Sequence, residues 1–294
     1  MTTAAPTVRT WSGEGVGLGE IERELARLLT EHDGEAPPLR TSVMTHIAWV
    51  PEEWLGKALE VLEGLAERHP SRTIVLIPKE DEPEDRIDAK LSVVTFPLPT
   101  LPRSVAAEVI ELRLLGERAS APESIVTPLL IADLPVFCRW RGRPDFDGPE
   151  FDQLTDVADR LIVDSGEWPD VPRAYRGLAR WFGRTAVSDL AWARTSGWRR
   201  SVAELWPKAA EVKVLEVAGP VAEAAVLAGW LRSRLRRDVR LQREQCDALE
   251  RIALDGMPVP EPPEEAASPS DLLSDELERL RRDPIYEGAA AAAG

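Results

Sequence analysis

Three consecutive segments between Thr41 and Ile77 constrain this chain most. Thr41–Val50 has the composition of a strand. Pro51–Arg68 is a helix entered by a proline in its first turn, where the missing N–H has no intrahelical partner to lose, and Thr73–Ile77, TIVLI, is a second strand. A strand, a helix and a strand within about forty residues form a parallel pair joined by a right-handed crossover. Parallel strands need cover on both faces, which restricts the chain to the α/β class.

The pattern that follows extends this unit into a mixed, partly parallel sheet with flanking helices. Leu91–Phe96 and Glu108–Leu115 alternate as strands after an acidic, proline-containing loop at Lys79–Asp88. Ser124–Ile131 is too short an apolar run to separate buried helix from strand. Val136–Trp140 reads as a strand, Pro149–Asp159 as a helix and Leu161–Val163 as a buried strand. From Val171 onward helices dominate, at Ala174–Trp181, Asp189–Trp206 and Val221–Arg236, with strands at Val212–Val217 and Val239–Leu241.

A chain of 294 residues exceeds what one core usually holds. The expected division is an N-terminal arm with a short helix over residues 1–40, an α/β domain over 41–168, a smaller helix-rich α/β domain over 169–256, and a flexible linker with a tail helix over 257–294. In the arm, Ile21, Leu25, Leu28 and Leu29 form one helical stripe, and Gly34 with Pro37-Pro38 ends it. In the tail, Leu272, Leu273, Leu277 and Leu280 do the same after the linker Pro258–Ser270, before an Ala/Gly-rich end.

The formal charge of −15 argues against a nucleic-acid-binding surface, which needs clustered Lys and Arg. No run of about 18 apolar residues occurs, and Met1–Thr10 lacks a secretory pattern, so a cytoplasmic protein is expected, with no membrane partner. Cys138 and Cys246 stand far apart without metal-ligand spacing, which suits a reducing compartment.

The chemical motifs are sparse. Gly13, Gly15, Gly17 and Gly19 precede a helix but lack both the spacing of a dinucleotide loop and the Lys-Ser/Thr of a P-loop, leaving a flexible arm. Asp145-Phe146-Asp147-Gly148 has its glycine too early for a calcium loop. Only His32, His46 and His69 are available to a hydrolytic triad, and no nucleophile elbow accompanies them. Arg72, in His69-Pro70-Ser71-Arg72, either pairs with an anion or closes a helix-to-strand turn. Asp164-Ser165-Gly166 lies at the carboxyl end of a strand, where open α/β sheets bind ligands, and reads equally as a turn with Asp164 accepting from nearby backbone N–H groups. Arg232–Arg243 is one strongly basic run, read either as a solvated helix end or as a metabolite clamp.

Five blocks occur in a particular order: HPSR at 69–72, PLLIADLP at 128–135 with Trp140 following, RLIVDS at 160–165, DLAWAR to WRR at 189–200, and Leu272–Leu280 through Tyr286-Glu287. In this order they resemble the OpcA family, the bacterial assembly proteins of glucose-6-phosphate dehydrogenase. The chain departs from that pattern at His46 and at Arg139-Trp140. The resemblance implies a non-enzymatic protein without cofactor that binds glucose-6-phosphate dehydrogenase and promotes its active oligomer at the entry to the oxidative pentose-phosphate pathway. It supplies no catalytic residues. Asp133, inside the second block, joins Arg72, Asp164 and Ser165 as a candidate ligand or interface residue. An exposed cluster of Trp192, Arg194, Trp198 and Arg199 is a candidate interface, because Trp and Arg are enriched in hot spots, and the alternative is two tryptophans packed into the second core. A rival from another class is a sugar-phosphate- or nucleotide-binding protein or enzyme that takes an anionic metabolite at Arg72 or Asp164-Ser165. A third is a redox-regulated adaptor using Cys138 or Cys246.

Overall fold

A computed structural model of the chain describes residues 6–30, 42–66, 68–97, 104–263 and 267–294. They fall into two compact units, 1–161 and 162–294. The α/β class and the mixed sheet expected from the sequence are both found.

In the first unit, the strands are β1 (Thr7–Gly13), β2 (Thr45–Trp49), β3 (Arg72–Lys79), β4 (Ile87–Pro97), β5 (Ser104–Leu115) and β6 (Val136–Trp140). Their order across the sheet is β1-β4-β5-β3-β2-β6. The helices are α1 (Leu18–Thr30), α2 (Leu55–Ala66), α3 (Pro122–Val126) and α4 (Pro149–Val157). Strand β2 pairs in parallel with β3 on one side and β6 on the other, and every one of its residues is buried, as expected of a central parallel strand. The hairpin partners β4 and β5 are antiparallel, and β4 alternates buried with partly exposed positions. Ile47, Ile74, Leu76, Leu91 and Ile110 are fully buried and form the centre of this core. The ambiguous run at 124–131 is helical, in α3 and the turn of 3-10 helix after it.

The N-terminal arm is part of the body, which corrects the expectation of a flexible segment. Strand β1 pairs antiparallel with β4 from Thr7↔Thr95 to Gly13↔Ala89, and the α1 stripe of Ile21, Leu25, Leu28 and Leu29 is buried. Gly15 turns the chain at φ +61 with its N–H on Asp88 Oδ1 at 2.9 Å, so the alternating glycines shape a strand-to-helix turn. An edge strand needs no apolar face, which is why TVRTWSG gives so little signal. Gly34 and Pro37-Pro38 lie outside the described residues.

Strand β7 (Arg160–Val163) begins in the first unit and ends in the second, which holds β8 (Ala186–Asp189), β9 (Val214–Ala218), β10 (Arg240–Glu244), β11 (Arg251–Leu254) and β12 (Met257–Pro258). Its helices are α5 (Val171–Ala179), α6 (Leu190–Arg194), α7 (Ser196–Glu204), α8 (Val221–Leu235), α9 (Pro269–Leu277) and α10 (Pro284–Ala293). Strands β9 and β10 are parallel, with α8 as their connection, and β11 runs antiparallel on the other side of β9. Helix α8 is buried almost all round from Ala222 to Gly229, and Leu215, Val217, Leu227, Leu231 and Ile252 pack in one core.

Two elements near the end of the chain go beyond what the sequence pattern shows. Residues 251–258 form a hairpin whose Asp255 and Gly256 both have positive φ, the backbone of a tight two-residue turn. The Ala/Gly-rich end is helix α10, with Tyr286, Ala289 and Ala290 fully buried, and α9 buries Leu272, Leu273 and Leu277. Alanine and glycine carry no apolar stripe that a sequence pattern can show, yet they allow helices to approach closely.

Candidate functional site

The strand β7 is buried throughout and ends at Asp164, whose Oδ1 accepts the Gly166 N–H at 3.0 Å and closes a turn of 3-10 helix over Ser165–Glu167. Arg194, the last residue of α6, sets its fork on that carboxylate: Nη1 donates to Oδ2 at 2.9 Å and Nη2 to Oδ1 at 2.6 Å. Its Nε donates to Glu223 Oε1 at 2.5 Å. Glu223 stands in the first turn of α8, is 3 % exposed, and its Oε2 has no hydrogen-bond partner among the described residues. One guanidinium therefore holds two carboxylates. Burial opposes its charge, but Asp164 and Glu223 outweigh burial and raise its pKa.

Beneath this ion group lies Asp189, 1 % exposed, at the carboxyl end of β8. Its Oδ1 accepts the N–H groups of Ser165 and Ala191, both at 3.0 Å, and thereby caps α6. Its Oδ2 accepts from Tyr175 at 2.8 Å and from Tyr286 at 3.4 Å, and the Ser165 and Tyr175 hydroxyls share a further bond of 2.8 Å. Burial, with the charge of Asp164, pushes the Asp189 pKa up to about 6. Burial and the Asp189 charge raise both tyrosines well above their ordinary value. The cluster ties the loop after β7, α5, α6 and α10 to one carboxylate. Ser165 is wholly buried, so its hydroxyl meets no substrate from solution.

The exposure expected of the tryptophan–arginine cluster is not found: Trp192 is 3 % and Trp198 7 % exposed. Trp192 Nε1 donates to Asp283 Oδ2 at 3.1 Å, and the Arg199 guanidinium lies 3.2 Å from the centre of the Trp192 ring. Trp198 packs with Val202, Leu227 and Leu231 in the core of the second unit. Arg199 is partly buried, and burial lowers its pKa to about 10 while Asp283 offsets part of that.

The first unit's candidates lie apart from these. Arg72 donates through Nε to Glu108 Oε2 at 2.7 Å and through Nη1 to the Leu129 carbonyl at 2.8 Å, while Nη2 is also 2.7 Å from Glu108 Oε2. Asp133 is exposed, with a left-handed backbone at φ +63. His46 is buried in β2, and burial, Arg139 and His69 lower its pKa to about 4, which keeps it neutral. Burial pushes the Cys138 thiol up to about 12, and partial burial with Glu250 and Glu244 raises that of Cys246, so both thiols stay protonated. His32 is outside the described residues, among which no metal-binding group of three His, Cys, Asp or Glu occurs. No described helix is long and apolar enough to cross a membrane.

The sequence reading missed Tyr175, Asp189, Glu223, Asp283 and Tyr286 as partners. Two of them carry a readable signal: Asp189 stands before a helical run, and Asp283-Pro284 is a helix start, with the cap followed by proline at the first position. The convergence of the tyrosines has none.

Two family models match the chain. Residues 63–180 match one described as the glucose-6-phosphate dehydrogenase subunit N-terminal domain, and residues 185–290 match the corresponding C-terminal domain. Curated relatives are provisionally named as OxPP cycle proteins, OpcA. The chain is 30% identical to that of Nostoc punctiforme over 64% of its own length and 43% of the relative's. It is 26% identical to that of a Synechocystis species over 60% of its length and 39% of the relative's, and 25% identical to that of Synechococcus elongatus over 67% and 50%. The matches span half or less of each of these relatives. The chain belongs to the OpcA family.

Proposed function

We propose that this chain is a non-catalytic, cytoplasmic partner of glucose-6-phosphate dehydrogenase that favours the dehydrogenase's active oligomer in the oxidative pentose-phosphate pathway. The observation that carries the reading is the pair of family models, both described by that enzyme's name, which together take up most of the chain. The non-catalytic part is supported by the burial of Ser165, Tyr175 and Asp189. Arg72 and Asp164, the residues a sugar-phosphate site would draw on, already spend their charges on Glu108 and Arg194. An activator of this kind binds the active state of its partner more tightly than the inactive one, and a tenfold shift requires only about 1.4 kcal/mol of difference. Trp192 and Trp198 are packed inside the second unit, and Arg194, Arg199 and Asp133 are the candidates that reach the surface.

The test is dehydrogenase activity from the same organism over a range of substrate concentration, with and without the chain, together with the mass of the assembly. Higher activity or affinity with a co-complex is the expected result. No effect and no complex would overturn the reading.

A further inference from the structure

Of the ten tryptophans, six are buried, three are partly buried, and Trp206 alone is exposed, at 65 %. It stands in the second unit between α7 and a turn of 3-10 helix at Lys208–Glu211. Leu205 before it and Ala209 after it pack in the core with Leu231 and Val239, so the backbone is held while the indole is left in solvent. The Trp206 side chain makes no hydrogen bond or ring contact with any described residue. An indole so exposed adds nothing to the core, whereas tryptophan is enriched among the residues that anchor protein interfaces.

The same rim carries cations. Arg237 Nη2 donates to the Val212 carbonyl, Arg232 Nε to the Val239 carbonyl at 3.0 Å, and the Arg240 N–H to the Lys213 carbonyl at 2.9 Å. These bonds join the segment after Trp206 to the end of α8 and to the start of β10, an edge strand of its sheet. Residues 232–240 hold five arginines and one acid, Asp238, which lies 3.6 Å from Arg232. Of the other acids nearby, Asp255 accepts the Lys213 and Val214 N–H groups and Glu216 accepts that of Gly256. Glu204 and Glu211 are matched in number by Lys208 and Lys213. With all of these counted the rim stays net positive, in a chain that carries −15. Arg234, Arg236 and Arg240 are exposed and have no carboxylate partner among the described residues.

We infer that this rim of the second unit is the surface that docks on glucose-6-phosphate dehydrogenase, with Trp206 as the apolar anchor and Arg234, Arg236 and Arg240 set against carboxylates of the enzyme. The inference rests on the proposed function and supplies the place of contact. The family model described by that enzyme's name spans residues 185–290 and includes every residue of the rim. The partner surface it fits is acidic around an apolar pocket: the indole supplies buried area, and guanidinium forks pair with carboxylates and give the approach its orientation. Arg194 differs from these three arginines, because its fork is already spent on Asp164.

Titration of the full chain against the dehydrogenase from the same organism tests the inference, with the mass of each assembly measured alongside and the salt concentration varied. Trp206→Ala should weaken the complex by about tenfold or more at every salt concentration. The triple variant Arg234→Gln, Arg236→Gln, Arg240→Gln should weaken it by about tenfold at low salt, and the difference from the parent should shrink as salt screens the charges. Both variants should stay folded, since the four side chains are exposed and no carboxylate loses a partner. Arg118→Gln, an exposed change in the first unit, should bind as the parent does. A parent complex that Trp206→Ala and the triple variant form equally well would overturn the inference and leave the proposed function standing. Absence of any complex with the parent would overturn both. A dimer of the parent chain alone, lost in the same two variants, would give the rim to a second copy and overturn the inference as well.

Discussion

Gly229 of α8 and Ala289 of α10 meet backbone to backbone: a Cβ on Gly229 would lie 2.1 Å from the Ala289 carbonyl oxygen and 2.8 Å from the Ala293 nitrogen. The two helices approach this closely because glycine faces alanine along the contact. The C-terminal helix is therefore a fitted component of the second unit, held at its start by Asp283, which caps α10 and also accepts the Trp192 N–H.

Gly229→Ala reverses the usual sign of its substitution. In an exposed helix the change would stabilise by about 1 kcal/mol through helix propensity. Here the added methyl meets backbone atoms that no side-chain rotation can move, and overpacking of this kind costs about 1–3 kcal/mol. Denaturant unfolding should show a net loss of about 1 kcal/mol, with the α10 amides exchanging fastest. A variant as stable as the parent would show that α10 does not need this contact.

Arg194→Leu should be severe for a surface-reaching side chain, because it leaves two carboxylates behind and Glu223 is almost wholly buried. Breaking a fully buried pair costs about 3–5 kcal/mol, and the one-third exposure of Arg194 reduces the expectation to about 2–3 kcal/mol. Adding Glu223→Leu should restore much of the loss by removing the buried charge that has lost its partner. A double-mutant cycle in denaturant measures this, and losses that simply add would disprove the coupling.

Trp198→Ala separates packing from recognition. The side chain is buried among Val202, Leu227 and Leu231, so truncation should cost about 3–5 kcal/mol of stability. Dehydrogenase activation, measured well below the variant's unfolding transition, should remain that of the parent. Lost activation in a folded variant would make Trp198 a contact residue.

How much of this was legible follows from where each signal comes from. The crossover of β2, α2 and β3 could be read because a buried parallel strand is nearly all apolar and β-branched, as in TIVLI. Asp164 was placed correctly at a strand end, since that needs only local pattern, but its partner Arg194 is thirty residues away. The Asp189 cluster gathers side chains from the loop after β7, α5, β8 and α10, and no spacing rule links Tyr175 to Tyr286. The hairpin at Asp255-Gly256 did carry a signal, the Asp-Gly pair, but RIAL and MP are too short to register as strands beside it. The α10 contact was invisible because its determinant is the absence of side chains.

Two buried titrating groups give the two units opposite responses to acid. His46 in the first unit has its pKa lowered from 6.5 to about 4, so between those values the unfolded chain binds a proton that the folded chain does not. Its contribution is fully present above pH 6.5 and is lost as pH falls through about 4. Asp189 in the second unit has its pKa raised from 3.8 to about 6, by burial and Asp164, so there the folded chain holds the extra proton. Its contribution is fully present below pH 3.8 and is lost as pH rises through about 6. Each shift corresponds to about 3 kcal/mol across its window. Amide exchange read separately in the two units, between pH 4 and pH 6.5 and corrected for intrinsic rates, should therefore show the stability difference between parent and variant changing in opposite senses. For His46→Gln the parent's advantage should shrink as the solution is acidified, and for Asp189→Asn it should grow. A pH-independent difference for either variant would mean that the group in question titrates normally in the folded chain.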